Sequence, residues 1–199
     1  MDSNARRRSK MKKERLVAFF DAIIAIVMTV LVLELPKIHG TTLSAIWENR
    51  VHYFAYITTF TLFAVFWDTH HTIFDKVEKV TIKIVRIQIF LLFLNTLFPY
   101  ITSWVSENPH SYMVECVYIF FLLGANIVYS WLCDELMKAD SKNIKLKNTI
   151  TNLRRHKITT ILLSSSLIIG LFNPMFMLII GFISLSIWYI PMPKIRKNK

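Results

Sequence analysis

The residues able to do chemistry in this sequence are polar side chains set into long apolar runs. Arg15, Asp21, Thr29 and Glu34 punctuate the first run, and Trp67, Asp68, His70, His71 and Phe74 close the second at i, i+3 and i+4 spacings that share a helical face. An arginine, an aspartate and one or two histidines can satisfy one another's hydrogen bonds away from lipid. Metal ligation is the rival chemistry, but adjacent helical residues such as His70 and His71 point about 100° apart and no third ligand is at hand. The expectation is therefore a structural network, with no metal and no cofactor. Ser164, Ser165 and Ser166 have no base near them in sequence, which argues against an enzyme. Cys116 and Cys133 lie in one apolar run, about 25 Å apart along a helix axis, too far to pair, and read as apolar filler.

The elements that carry these residues follow from composition. Of 199 residues, 54% are hydrophobic and 19% charged, below the share of about 25% usual in a soluble domain. A small soluble fold cannot cover that much apolar surface, so the chain reads as an all-α integral membrane protein. Apolar stretches lie near 16–35, 51–74, 84–105, 112–136, 158–172 and 175–190, with Asn173-Pro174 as the turn between the last two. Six spans put both termini on one side. The loops on that side carry 22 of the 24 Lys and Arg residues and the opposite loops only Lys37 and Arg50, so both termini are expected in the cytoplasm of a multi-pass cell-membrane protein. The basic N-terminus and the net charge of +11 are explained by topology and by anionic lipid, without nucleic acid as a partner. Asp21 interrupts the first run and no small-x-small site follows Leu33, so this run is a retained span rather than a cleaved signal. The organisation expected is a basic segment 1–14, a transmembrane domain 15–191 and a basic tail 192–199, with 134–157 as a long Lys- and Asn-rich cytoplasmic loop.

At 100° per residue, Phe19, Ala22, Ile26, Thr29, Val30 and Leu33 form one stripe of the first helix. Asp21 lies about 140° from Ile26, on a face with Ala25, Met28 and Val32. Spacing alone leaves two readings of the stripe. It is ordinary packing with Thr29 bonded to its own backbone, or it faces something else.

These residues carry a resemblance to the transmembrane protein 175 family of endosomal and lysosomal potassium channels and their prokaryotic homologues. The family pattern R-x-x-x-F-S-D, followed by A-I-x-x-T and an L-x-L-E-like exit, is matched by Arg15, Phe19, Asp21, Ala25, Ile26 and Thr29 and by the segment from Leu31 to Pro36. Phe20 stands where the family has serine. Trp67, His70, His71 and Phe74 are similar to the family's W-x-x-H-H-x-x-F, and Asn95 to Pro99-Tyr100 resembles its third-helix segment. The resemblance implies a six-helix subunit that forms a homotetramer in lipid, with the first helices lining a central pore for potassium ions. It implies passive, leak-type conduction through a constriction of Ile26, Val30 and Leu33, with Thr29 bearing on selectivity. Arg15, Phe19, Phe20, Asp21, Trp67, His70 and His71 form the structural motif, and Glu34 sits at the mouth. The stripe derived from spacing holds the same four lining residues. The chain has no T-V-G-Y-G loop and its four glycines are isolated, so selectivity would come from side chains. The alternatives are a proton-permeable or weakly selective cation channel, or a non-conducting scaffold or secondary transporter.

Overall fold

A computed structural model describes residues 3–152 and 155–189. Among them all regular structure is helical: α1 (Ser3–Leu33), α2 (Leu43–Glu48), α3 (Arg50–Phe74), α4 (Ile82–Glu107), α5 (Tyr112–Ala139), α6 (Ile144–Asn152), α7 (Arg155–Ile169) and α8 (Met175–Ser186), with a 3-10 turn at Ile187–Tyr189. Three of these, over Lys13–Leu33, Ile82–Glu107 and Tyr112–Ala139, are long and apolar enough to cross a membrane. The α3 helix has the length, at 25 residues, but carries Thr, His, Tyr and Asp within it. At 15 and 12 residues, α7 and α8 are shorter than the roughly 20 that cross hydrocarbon unaided.

One part of the sequence reading is corrected. The stretch 134–157 is not one loop. The α5 helix runs on to Ala139, and Asn143 then starts α6 by accepting a hydrogen bond from the Leu146 amide through its side-chain oxygen. Leu146 and Ile150 bury one face of α6 while Lys145 and Lys147 stay exposed, so amphipathic spacing makes a helix of a segment whose composition suggested a loop. The α1 helix begins at Ser3 and so runs through most of the basic segment 1–14 into the first apolar run. The tail 192–199 lies outside the described residues.

The packing divides the helices by partner. The α1 helix lies against α3 and α4, α4 against α5, and α7 and α8 close on each other and on α5, with α8 returning to α3. The core between them is continuous and holds Phe63, Leu91, Phe98, Tyr118, Leu122 and Met177 among its most buried members. Gly170 lets α7 approach α8 closely: a Cβ there would meet the buried Met177 side chain, which would have to shift.

Polar clamps fix one end of the bundle. Glu135 Oε1 receives both Lys83 Nζ and Lys138 Nζ at 2.9 Å, joining α4 to α5. Asp140 Oδ2 accepts from the Glu78 amide at 3.3 Å and from Asn143 Nδ2 at 2.9 Å, and Lys13 Nζ donates to the Val77 carbonyl at 3.1 Å. The α1 helix is therefore tied at Lys13 to the α3–α4 loop. The Arg155 guanidinium is buried and donates to the Ile187 and Trp188 carbonyls, a cation at the carbonyl-rich end of α8.

Candidate functional site

The site is built on α1, whose two sides have opposite fates. Leu16, Phe20, Ile24, Val27 and Leu31 turn inward against α3 and α4 and are almost fully buried. The predicted stripe turns outward. Phe19, Ala22, Ile26, Thr29, Val30 and Leu33 are all exposed, Ile26 at 57% and Leu33 at 79%. Packing inside the protomer therefore does not account for the stripe. Every helix of a membrane protein has some apolar exposure, and α4 and α5 show it at Ile89, Phe90, Phe93, Phe120 and Ile127. The α1 face differs in what else it carries. Arg15 stands at one end of the same line, Thr29 at its middle and Glu34 just past its far end, all exposed.

Thr29 Oγ1 donates to the Ile26 carbonyl at 2.7 Å. The hydroxyl proton is thereby committed to the helix, and the oxygen keeps free lone pairs on the exposed side. A threonine held this way presents an acceptor, the polarity a cation requires.

The motif residues meet differently from the network expected of them. Within the protomer, among the described residues, no hydrogen bond or ion pair joins Arg15, Asp21 and a histidine. Arg15 is exposed and Asp21 half-buried, on different sides of α1. His70 is buried instead in a stack of rings, with Phe20 at 3.8 Å and 5° on one side and Phe74 at 4.1 Å and 18° on the other. The physical reason is Phe20. A serine would leave room and offer a hydroxyl, whereas the phenyl ring fills that room and covers the imidazole face. His71 points elsewhere: it is exposed, stacked on Trp67 at 5.7 Å, with Nε2 4.0 Å from Asp75 Oδ1. His70 and His71 thus do not converge on a common point. Among the described residues no three His, Cys, Asp or Glu side chains group as a metal site, and both cysteines are free.

At the opposite end, Glu34 is exposed and joined to neither Lys37 nor Arg50 among the described residues. Arg50 lies over the Trp47 ring at 5.5 Å and donates to the Trp47 carbonyl at 3.2 Å. Sequence reasoning missed the polar line buried on α4 at Gln88, Asn95, Thr102 and Ser106. Its seven- and four-residue spacings were the available signal.

An all-helical bundle that turns a mixed polar and apolar helix face outward, with three helices fit to cross a membrane, defines a multi-pass membrane protein. The family model for the endosomal/lysosomal potassium channel TMEM175 matches residues 15–99, and over that stretch the chain is similar to the family. It is 29% identical to a potassium channel of Chryseobacterium sp. (strain P1-3) over 188 residues, 94% of this chain and 98% of that protein. It is 33% identical over 130 residues to the endosomal/lysosomal proton channel TMEM175 of Gallus gallus, covering 56% of this chain and 26% of that one. The fold is similar to the crystal structure of a lysosomal potassium-selective channel TMEM175 homolog from Chamaesiphon minutus, with TM-score 0.76 at 22% identity, covering 89% of this chain and 96% of that one.

Proposed function

We propose that the protein is a potassium channel, passive and leak-type, whose pore is lined by the outward face of α1. The observation that carries this reading is the exposure of the whole stripe from Phe19 to Leu33 on a helix whose other side is sealed into the protomer. Four copies in a homotetramer would bring four stripes to a common axis. Ile26, Val30 and Leu33 then form the constriction, with Thr29 one turn from Ile26. A β-branched side chain has one dominant helical rotamer, so a ring of Ile26 is stiff, and a narrow dry ring slows ions by the cost of dehydrating them. The relatives named potassium channels, and a family of ion channels rather than enzymes, support the activity.

In the same reading α1, α3, α4, α5, α7 and α8 are the six spans of a transmembrane domain over 15–191. The basic end faces the cytoplasm, and α6 lies along the inner surface with its lysines toward anionic lipid. Arg15 and Asp21, unbonded to each other within one protomer, pair with neighbouring copies and hold the assembly. Bilayer recordings with accessibility mapping test the proposal. In a background lacking Cys116 and Cys133, a cysteine at position 26 should bind a thiol-reactive metal ion and block unitary potassium current. A cysteine at position 28, where Met28 is half-buried on another side of α1, should not block. Block at 28 but not at 26 would place the pore on the wrong face.

A further inference from the structure

At the basic end of the bundle α5 outruns its neighbour α7. His156, in the first turn of α7, sits beside Tyr129 of α5 with ring centroids 5.5 Å apart, and its Nδ1 meets Asn126 Oδ1 at 2.9 Å. From that level α5 continues from Tyr129 to Ala139, about 15 Å of helix. The α6 helix packs against α3 and α5 beyond it, pinned by Leu146 and Ile150. Between α5, α6 and α7 lies a cleft of about 530 Å³, within the range of about 300–1,000 Å³ usual for small-molecule sites. Ser130 and Asp134 of α5, Lys147 and Thr151 of α6, and Lys157 and Thr160 of α7 line it.

The charges in this cleft are unpaired. Among the described residues no hydrogen bond or ion pair engages the Lys147 ammonium, the Lys157 ammonium or the Asp134 carboxylate, so two cations and an anion line one space without meeting. The hydroxyls add acceptors rather than donors. Ser130 Oγ donates to the Asn126 carbonyl at 2.9 Å and Thr160 Oγ1 to the His156 carbonyl at 2.8 Å, which leaves each oxygen with lone pairs alone. Thr160 already accepts from Asn126 Nδ2 at 2.7 Å. Ser130 does not, and it stands one turn from Asp134 on the same side of α5. The cleft thus offers two ammonium groups to an anion and, on its α5 wall, a carboxylate and a hydroxyl oxygen to a donor. A ligand that satisfies both walls carries a phosphate and an ammonium.

Two apolar lines lead away from the same walls. On α5 the exposed Phe120, Ile127 and Trp131 lie within about 60° of the direction of Asp134, and on α7 the exposed Ile161 and Ile168 lie within about 40° of that of Lys157. A soluble phosphate would use neither line, whereas an amphiphile with its head in the cleft would lay its chains along both. We propose that the cleft binds the headgroup of an aminophospholipid, with the phosphate toward Lys147 and Lys157, the ammonium toward Asp134 and Ser130, and the acyl chains along the α5 and α7 lines. This assignment rests on the reading that α5 and α7 cross the membrane with their basic ends at its inner surface, where Trp131 would sit at the level of the headgroups. A lipid held there joins α6 to α5 and α7 and adds to the grip of Leu146 and Ile150.

The test is native mass spectrometry of the full-length protein, delipidated in detergent and titrated with one lipid at a time, with potassium flux of the same preparation read in liposomes. Phosphatidylethanolamine should bind about tenfold more tightly than phosphatidylcholine, whose methylated amine has no N–H to donate, or phosphatidylglycerol, which has the phosphate and no amine. Asp134→Asn should abolish that preference while phospholipid still binds. Lys147→Met combined with Lys157→Met should weaken all of these lipids about tenfold. The three substituted side chains are exposed, so the fold is left intact. Equal binding of the lipids to the wild type, a preference that survives Asp134→Asn, or binding unmoved by the paired lysine changes would overturn the site. So would soluble phosphoethanolamine binding as tightly as the lipid, which would make the ligand a free phosphate and leave the apolar lines unused. Selective lipid binding by a protein that carries no potassium would leave the site standing and sink the conduction reading, and potassium flux with unselective binding would do the reverse.

Discussion

The α1 and α4 helices are both long and apolar, yet they place their polar residues on opposite sides. The α4 helix turns Gln88, Asn95, Thr102 and Ser106 into the protomer, and its exposed side shows Ile82, Ile89, Phe90 and Phe93. The α1 helix turns Phe20, Ile24, Val27 and Leu31 inward and leaves Arg15, Thr29 and Glu34 outside. In lipid a polar side chain must find water or protein. The α4 arrangement buries these residues within one copy of the chain, where Thr102 and Ser106 are hydrogen-bonded and the Asn95 amide is not. The α1 arrangement does not, and an outward face with an arginine, a threonine and a glutamate calls for further copies or for water. The contrast separates residues that fold the protomer from residues that act beyond it.

The largest effect should come from crossing that divide. Phe20→Ala removes a fully buried ring stacked on His70, and the cavity should cost about 3–5 kcal/mol of stability, read by unfolding in detergent. Ile26→Ala, two turns away on the outward face, should change stability by no more than about 0.5 kcal/mol. If Ile26→Ala proves as costly as Phe20→Ala, the stripe is packed between copies rather than open to a pore.

Next in size is the loss of assembly. Asp21→Asn keeps the shape and removes the charge of a half-buried carboxylate that has no hydrogen-bond or ion-pair partner among the described residues. Size-exclusion chromatography should show less tetramer and more of a smaller species. Normal assembly with altered unitary conductance alone would move Asp21 from the contacts between copies to the conduction path.

Smaller effects fall on current without loss of fold. Ile26→Asn should wet the narrow ring, raising single-channel current and lowering the preference for potassium over sodium. Thr29→Val should reduce potassium preference with little change in wetting, because it removes the acceptor oxygen that the Ile26 carbonyl bond leaves facing outward. Reversal potentials under bi-ionic conditions separate the two. Equal loss of selectivity in both would mean that Thr29 acts only by filling space.

The contrast between the helices was only half legible in the sequence. The outward stripe of α1 could be derived because helical spacing sorts residues by direction, and that sorting survives folding. Which direction faced inward could not be read, since both sides of α1 are apolar. It was fixed by the shapes of α3 and α4. The histidine network failed inside the protomer for a similar reason. Spacing put Arg15, Asp21 and His70 at one level, but it could not say that the Phe20 ring would reach His70 first. The helix at 144–152 was hidden by composition, because lysine and asparagine density masks an apolar face of only Leu146 and Ile150. The polar line buried on α4, by contrast, was readable and overlooked. Its residues are polar, evenly spaced and set in an apolar run.

The smallest expected effect tests the far end of the outward face. Four Glu34 carboxylates around an axis would raise the local cation concentration at the pore mouth, and such an effect fades with salt as the Debye length shrinks from about 30 Å at 0.01 M to about 8 Å at 0.15 M. The competing reading has Glu34 neutralised by a nearby cation. Arg50 is already engaged, its guanidinium over the Trp47 ring and bonded to the Trp47 carbonyl, and neither it nor Lys37 reaches Glu34. The carboxylate is therefore free to act at a distance. Glu34→Gln should lower inward potassium current at low ionic strength by about a factor of two and leave it unchanged at high ionic strength. Equal currents at low salt would mean that the charge is neutralised by a cation from another copy. The outward polarity of α1 would then end at Thr29, with Glu34 serving assembly rather than conduction.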